Sequence, residues 1–363
     1  MHKCGSLLVA TLLLVASLTA CESSNTTSTN TTSPGGNSTS ASNSGTGQSR
    51  LDIVKQRGKL ICGVDGKIPG FSFVNESGQY SGLDVDLCKA VAAAVLGDPN
   101  AVEFRNLDST ERFEALKAGE VDMLSRNTTW TISRDTSVGL EFAPTTFYDG
   151  QGMMVRQDSG ITKLEDFQGK AVCVEAGTTT ELNLTDAMRQ RGIQFETVTF
   201  QQADPAYAAY AEGRCQGMTS DKSQLVARRS TLPNPNEHLL LDVTMSKEPL
   251  GPLTVNNDST WFDVVKWTTF ALFEAEELGV NQTNVDQLKT SDNPNIKRFL
   301  GTEGDLGKGM GLSNDFAANA IKAVGNYGEV YERNLGEGSQ FKLPRGQNAL
   351  WTNGGLMYSP PFR

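Results

Sequence analysis

Apolar and polar positions divide the chain into unlike stretches. An apolar run from Leu7 to Leu18 follows Lys3 and closes in Leu18-Thr19-Ala20-Cys21. The run is shorter than the ~20 residues a membrane-spanning helix needs. Small residues just before a cysteine suit a signal peptidase, so residues 1–20 read as a lipoprotein signal peptide and Cys21 as the residue that takes lipid. From Glu22 to about Ser49 the chain is almost wholly Ser, Thr, Asn and Gly, with no aromatic residue. Such a stretch cannot bury enough apolar surface to fold, so residues 21–49 read as a disordered tether. No later apolar stretch has the length to cross a membrane.

Past the tether, apolar residues follow two alternating periods. Gly58-Lys59-Leu60-Ile61-Cys62-Gly63-Val64-Asp65 reads as a short strand, and Gly169-Lys170-Ala171-Val172-Cys173-Val174-Glu175-Ala176-Gly177 echoes it. A second echo pairs the segment from Leu116 to Ser125 with that from Tyr210 to Ser220, each a helix stopped by glycine and followed by a strand, the first of these strands running from Val121 to Leu124. Between these landmarks Leu83 to Leu96 has helical spacing and ends in Gly97-Asp98-Pro99, whereas Ala101-Val102-Glu103-Phe104 alternates. Strand and helix in alternation predict an α/β protein of two lobes, each a mostly parallel sheet flanked by helices. The first lobe is expected over residues 51–147 and the second over 148–250. Residues 251–363 return to the first lobe as a helix-rich extension, with periodic segments from Phe262 to Leu278 and from Phe316 to Leu335 punctuated at Asn326-Tyr327-Gly328.

The net charge of −10, with acids and bases interspersed, argues against nucleic acid or an anionic lipid surface as a partner. Of six cysteines, Cys4 leaves with the signal and Cys21 takes lipid, so Cys62, Cys88, Cys173 and Cys215 remain in the folded part. Four cysteines in an oxidising compartment suggest two disulfides, for which sequence permits three connectivities. The two-lobe plan selects Cys62–Cys88 and Cys173–Cys215, one within each lobe, because a bridge between lobes would lock them. The absence of any CxxC pair argues against a metal site.

His238 is the one histidine left after the signal is removed, and its setting, Pro233-Asn234-Pro235-Asn236-Glu237-His238, reads as a solvated loop. Neither a triad nor a histidine metal cluster is suggested, and neither phosphate-loop nor dinucleotide glycine spacing is present. Polar residues gather instead where strands end, which in open α/β sheets is the side that faces the ligand crevice. Asp65 ends the first strand; Ser125-Arg126-Asn127-Thr128-Thr129-Trp130-Thr131 follows the strand ending at Leu124; Gly177-Thr178-Thr179-Thr180 follows Cys173-Val174; Ser220-Asp221 follows the strand through Cys215. A carboxylate prefers the fork of an arginine, Arg126 or Arg134, and the start of a helix at Thr178 and Thr179 offers amides to an anion. An ammonium needs carboxylates, which Asp65 and Asp221 supply from opposite halves. Each residue alone has a plainer reading as cap, turn or surface pair. Their convergence points to a zwitterion.

These residues resemble the polar amino-acid receptors of ABC importers, which have the type II periplasmic binding-protein fold. The resemblance is carried by Gly82-Leu83-Asp84-Val85-Asp86-Leu87, Gly119-Glu120-Val121-Asp122 and Thr131-Ile132-Ser133-Arg134. More closely, Ser125 to Thr131, Tyr148-Asp149-Gly150-Gln151-Gly152, Phe262 to Thr268 and Lys322 to Glu329 are similar to the general L-amino-acid receptors, over about Leu51 to Arg363. The resemblance implies that Arg134 clamps the ligand α-carboxylate with Thr178 and Thr179, that Asp65 and Asp221 hold the ammonium, and that Asn127 and Thr129 occupy positions of small hydroxyl residues. Arg126 stands where lysine and arginine receptors have a small polar residue, and Ile68 where they have a stacking tyrosine, which disfavours cationic ligands. The stretch from Val255 to Ser259 reads as surface.

The resemblance also implies two hinge crossings, Phe147 to Gly152 and Ser246 to Pro252, with Gly150, Gly152 and Gly251 absorbing the dihedral change. The expected protein is a monomeric receptor without cofactor or metal, which captures free L-amino acids of broad range outside the cytoplasmic membrane and delivers them to ABC permease subunits. The rival is a periplasmic cyclohexadienyl or arogenate dehydratase on the same fold, with Glu175 or Glu181 as proton donor. A sensor module is a third possibility, usually fused to a membrane helix.

Overall fold

The computed structural model describes residues 48–363. The expected signal peptide, Cys21 and most of the tether therefore lie outside the described residues. Ser49 is already structural: its hydroxyl caps the helix Arg50–Arg57 and donates to Asp258 Oδ1 at 2.9 Å.

Two five-stranded sheets repeat one order. The first runs Val102–Asn106, Leu60–Val64, Met123–Leu124, Leu253–Val255, Leu140–Phe142, and the second Glu196–Phe200, Ala171–Glu175, Gly217–Asp221, Gln151–Arg156, His238–Leu240. In each, the first three strands are parallel and the fourth is antiparallel to the third. Each lobe is thus the expected α/β layer, and the carboxyl ends of the central strands of both lobes lead to residues of one cavity. Alternation within Ala171–Glu175 divides the second core: Val172 and Val174 pack with Phe167 and Leu184 on one face, Cys173 with Tyr210 and Met218 on the other. The strand expected from Val121 is shorter, Met123–Leu124, because the Asp122 carboxylate turns back to accept from Ile61 N at 2.7 Å.

The helix Leu83–Leu96 forms as predicted and stops at Gly97, whose φ of 73° suits glycine. It starts at Gly82, with φ 127°, where a Cβ would run into the Phe71 carbonyl. The helices Ser259–Glu277 and Phe316–Val324 cover it, so that Leu87, Val91, Trp261, Phe273, Phe316 and Ile321 share one core. Burying each such side chain contributes ~1.5–3 kcal/mol. Gly325 ends one helix and Asn326 opens the next, Tyr327–Asn334, through a reciprocal cap with Glu329.

The two crossings between sheets pair with each other as an antiparallel ladder, Glu248 opposite Asp149 and Leu250 opposite Phe147. Cys62 lies against Cys88 and Cys173 against Cys215 at disulfide distance, with Cα separations of 6.2 and 5.6 Å. His238 departs from its expected loop setting. It begins an edge strand and is buried, with Nδ1 2.9 Å from Tyr210 Oη and Nε2 3.2 Å from the Pro233 carbonyl. Edge pairing to Arg156 draws it inward, and it is a satisfied core residue.

Candidate functional site

One cavity between the lobes is lined by all eight residues singled out from sequence: Asp65, Arg126, Asn127, Thr129, Arg134, Thr178, Thr179 and Asp221. Ile68 also lines it. The lobes meet around it: Lys67 Nζ is 3.1 Å from Asp204 Oδ2, and Thr129 Oγ1 is 3.3 Å from Thr179 Oγ1.

Local structure explains how each group is presented. Asn127 takes φ 43°, a left-handed conformation that asparagine tolerates, with its amide nitrogen donating to Asp84 Oδ2 at 3.2 Å. Asp84 also accepts from Ser125 Oγ at 2.9 Å, and burial pushes its carboxyl up to about 7. Both polar atoms of the Asn127 side chain are buried without a partner. Thr131 caps the short helix Ile132–Thr136, which carries Arg134; this guanidinium donates to the Thr129 carbonyl at 2.9 Å and lies 5.3 Å from the Phe113 ring. On the facing lobe Thr178 caps Thr179–Gln190, accepting from Glu181 N at 3.1 Å. The first turn of that helix leaves amides without intrahelical partners at the cavity wall.

The structure pairs two of these residues with each other. Arg126, expected as a positive arm beside the side-chain pocket, is held by the site itself: Nη2 is 2.7 Å from Asp65 Oδ2 and 3.8 Å from Glu175 Oε1, and Nε donates to the Leu107 carbonyl at 2.7 Å. Asp65 also accepts from Lys67 N at 3.1 Å. Asp221 has no ion pair among the described residues, and its nearest donor is Gln224 Nε2 at 3.3 Å. Burial first, then the carboxylates of Asp149 and Glu248, hold its carboxyl well above the usual range.

Sequence reasoning missed Arg112. It is 2% exposed, lines the cavity, leaves Nε without a partner, donates to Thr128 Oγ1 at 3.4 Å and stands 4.7 Å over the Phe113 ring. Burial and the neighbouring Arg126 and Arg134 lower its pKa, and burial lowers that of Arg134 to about 10. The signal was available, since Arg112 lies just past the carboxyl end of Val102–Asn106, but an arginine opening a helix also reads as a solvated surface residue. Glu248 was likewise passed over. It is buried beside the cavity and accepts from Thr129 Oγ1 at 2.6 Å, Thr179 Oγ1 at 2.8 Å and Asn183 Nδ2 at 2.9 Å. Its setting, Ser246-Lys247-Glu248-Pro249, reads as a polar turn and gave no mark of burial.

Two α/β lobes joined by paired crossings, closed over a buried cavity of opposed charges, define a binding protein that encloses its solute. Residues 60–337 match the bacterial extracellular solute-binding proteins, family 3, and the chain belongs to that family. It is 52% identical over 315 residues to the general L-amino acid-binding periplasmic protein AapJ of Rhizobium johnstonii, covering 86% of this chain and 92% of the relative. It is 48% identical over 316 residues to the glutamate/glutamine/aspartate/asparagine-binding protein BztA of Rhodobacter capsulatus, covering 87% and 94%. Among solved structures, an ABC transporter periplasmic binding protein from Brucella ovis with glutathione bound is 49% identical with TM-score 0.85, over 87% of this chain and 100% of that one. The chain is therefore an extracytoplasmic solute-binding component of ABC transport and not an enzyme. The dehydratase alternative has no support among these relatives.

Proposed function

We propose that the cavity captures a free L-amino acid as a zwitterion and that its charged groups without an ion pair favour a ligand with an acidic or amide side chain. Three guanidinium groups and three carboxylates line it. Arg126 is matched by Asp65 and Glu175. Arg112, Arg134 and Asp221 have no ion-pair partner among the described residues, and this is the observation that carries the reading. Two buried cations and one buried anion complement a ligand with two carboxylates and one ammonium. In this reading Arg134 and the helix start at Thr178 and Thr179 take the α-carboxylate, Asp221 takes the ammonium, and Arg112 with Asn127 faces the side chain. Asp65 acts through Arg126, and Thr129 positions Arg134 through its carbonyl. The relatives support the assignment: one is named for glutamate, glutamine, aspartate and asparagine, and glutathione also carries two carboxylates and one ammonium.

Delivery follows from closure. Ligand contacts to both lobes favour the closed state, which permease subunits can read. The paired crossings would serve as the hinge, with lobe boundaries near residues 147 and 251. Lipid on Cys21 and the tether after it would keep a monomeric receptor at the membrane, which mass spectrometry of the mature N-terminus and light scattering test directly. For the site, calorimetry across a panel of amino acids should give micromolar or tighter binding by wild type, and Arg134→Ala should abolish it. Unchanged affinity in Arg134→Ala would remove the assignment.

A further inference from the structure

The groups around Glu248 are organised beyond what holding a ligand requires. Glu248 does not line the cavity, yet its two carboxylate oxygens collect donors from both lobes. Oε2 accepts from Thr129 Oγ1 of the first lobe and Thr179 Oγ1 of the second, at 2.6 and 2.8 Å, and Oε1 accepts from Asn183 Nδ2 of the second at 2.9 Å and from Ser246 Oγ. The crossing that carries it is fixed to the first lobe: Trp130 N donates to the Pro249 carbonyl at 2.9 Å, and Thr129 forms a bridge with Leu250. The bonds from Glu248 to Thr179 and Asn183 thus span the lobes on the hinge side of the cavity.

We propose that Glu248 is the latch of the closed state, a positioning residue whose bonds to the helix Thr179–Gln190 form when the lobes close. The proposal rests on the amino-acid-receptor reading. Its chemistry is specific: Asn183 Nδ2 can only donate, and the hydroxyls of Thr129, Thr179 and Ser246 stand where they donate to the two carboxylate oxygens. Closure brings the start of the second-lobe helix to the ligand carboxylate and to Glu248 together. Part of the free energy of closure then comes from protein–protein contacts that ligand identity does not alter, which suits a receptor of broad range.

Asn183 separates the latch from the ligand site, since it holds Glu248 but does not line the cavity. The test uses the mature full-length chain and L-glutamate as probe, with affinity by calorimetry and dissociation by stopped flow. Asn183→Ala removes a hydrogen bond to a charged group and should weaken binding about tenfold, mainly through faster dissociation, while the unfolding midpoint of the ligand-free protein stays unchanged. Asn183→Asp has the same shape but no donor and adds a charge facing Glu248, so it should bind at least as weakly as Asn183→Ala. In a Glu248→Ala background, Asn183→Ala should have no further effect. The latch is overturned if both Asn183 variants bind within about twofold of wild type, or if Asn183→Ala weakens binding equally with and without Glu248. Should wild type bind no amino acid, the receptor reading falls and the latch with it.

Discussion

Replacing Arg112 by methionine separates a ligand-binding role from a structural one because the two predict effects of opposite sign. With the lobes closed, Arg112 is a buried guanidinium with one weak hydrogen bond at 3.4 Å, an unpartnered Nε, the Phe113 ring 4.7 Å away, and the like charges of Arg126 and Arg134 set against the carboxylates of Glu175 and Asp65. An uncompensated buried charge costs several kcal/mol, and an apolar side chain of similar length removes that cost. Arg112→Met should therefore raise the unfolding midpoint of the ligand-free protein, by roughly 2–4 °C for each kcal/mol regained in a domain of ~150–250 residues. The same change removes a charge-assisted contact to the ligand side chain worth ~1.5–3 kcal/mol. Glutamate affinity should fall roughly ten- to hundredfold, while alanine and leucine, which place no carboxylate there, should change by less than about threefold. Scanning fluorimetry without ligand and calorimetry with glutamate, glutamine, alanine and leucine make the comparison. A lower unfolding midpoint together with an equal loss for every ligand would refute the reasoning and make Arg112 a scaffold residue.

Other outcomes follow from the same geometry. Burial and two neighbouring carboxylates raise the pKa of Asp221, so the ligand-free site holds its proton to a higher pH than an ordinary carboxyl. A ligand ammonium requires the ionised form, so binding should release a proton, and affinity should rise with pH through that range. Calorimetry in two buffers of different ionisation enthalpy reads the proton, and Asp221→Asn should bind weakly with no acid limb. The cysteine pairs close loops with sequence separations of 26 and 42, so replacing Cys62 and Cys88 by serine should cost about 3.5 kcal/mol and replacing Cys173 and Cys215 about 4 kcal/mol in denaturant unfolding. Both pairs lie within a lobe, so glutamate affinity of the folded fraction should stay at the wild-type value.

The sequence alone determined the α/β layers, because their signals are local. Helical spacing marked Leu83–Leu96, glycine marked its end, and the doubled Gly-Lys starts marked two equivalent strands. It also gathered eight residues of one cavity, since the carboxyl ends of central strands converge once a parallel sheet is assumed. What it could not decide was which charges neutralise one another. Asp65 and Arg126 are 61 residues apart in the chain, and only folding brings them to 2.7 Å, while Arg112 and Asp221 form no ion pair among the described residues. His238 went astray for a related reason: Pro and Asn around it describe a turn, whereas strand pairing with Arg156 and the Tyr210 hydroxyl decide its burial. Glu248 shows the limit most plainly. Its meaning lies in four donors drawn from both lobes, and tertiary structure alone sets that arrangement, because electrostatic partnership depends on distance in space and not on distance along the chain.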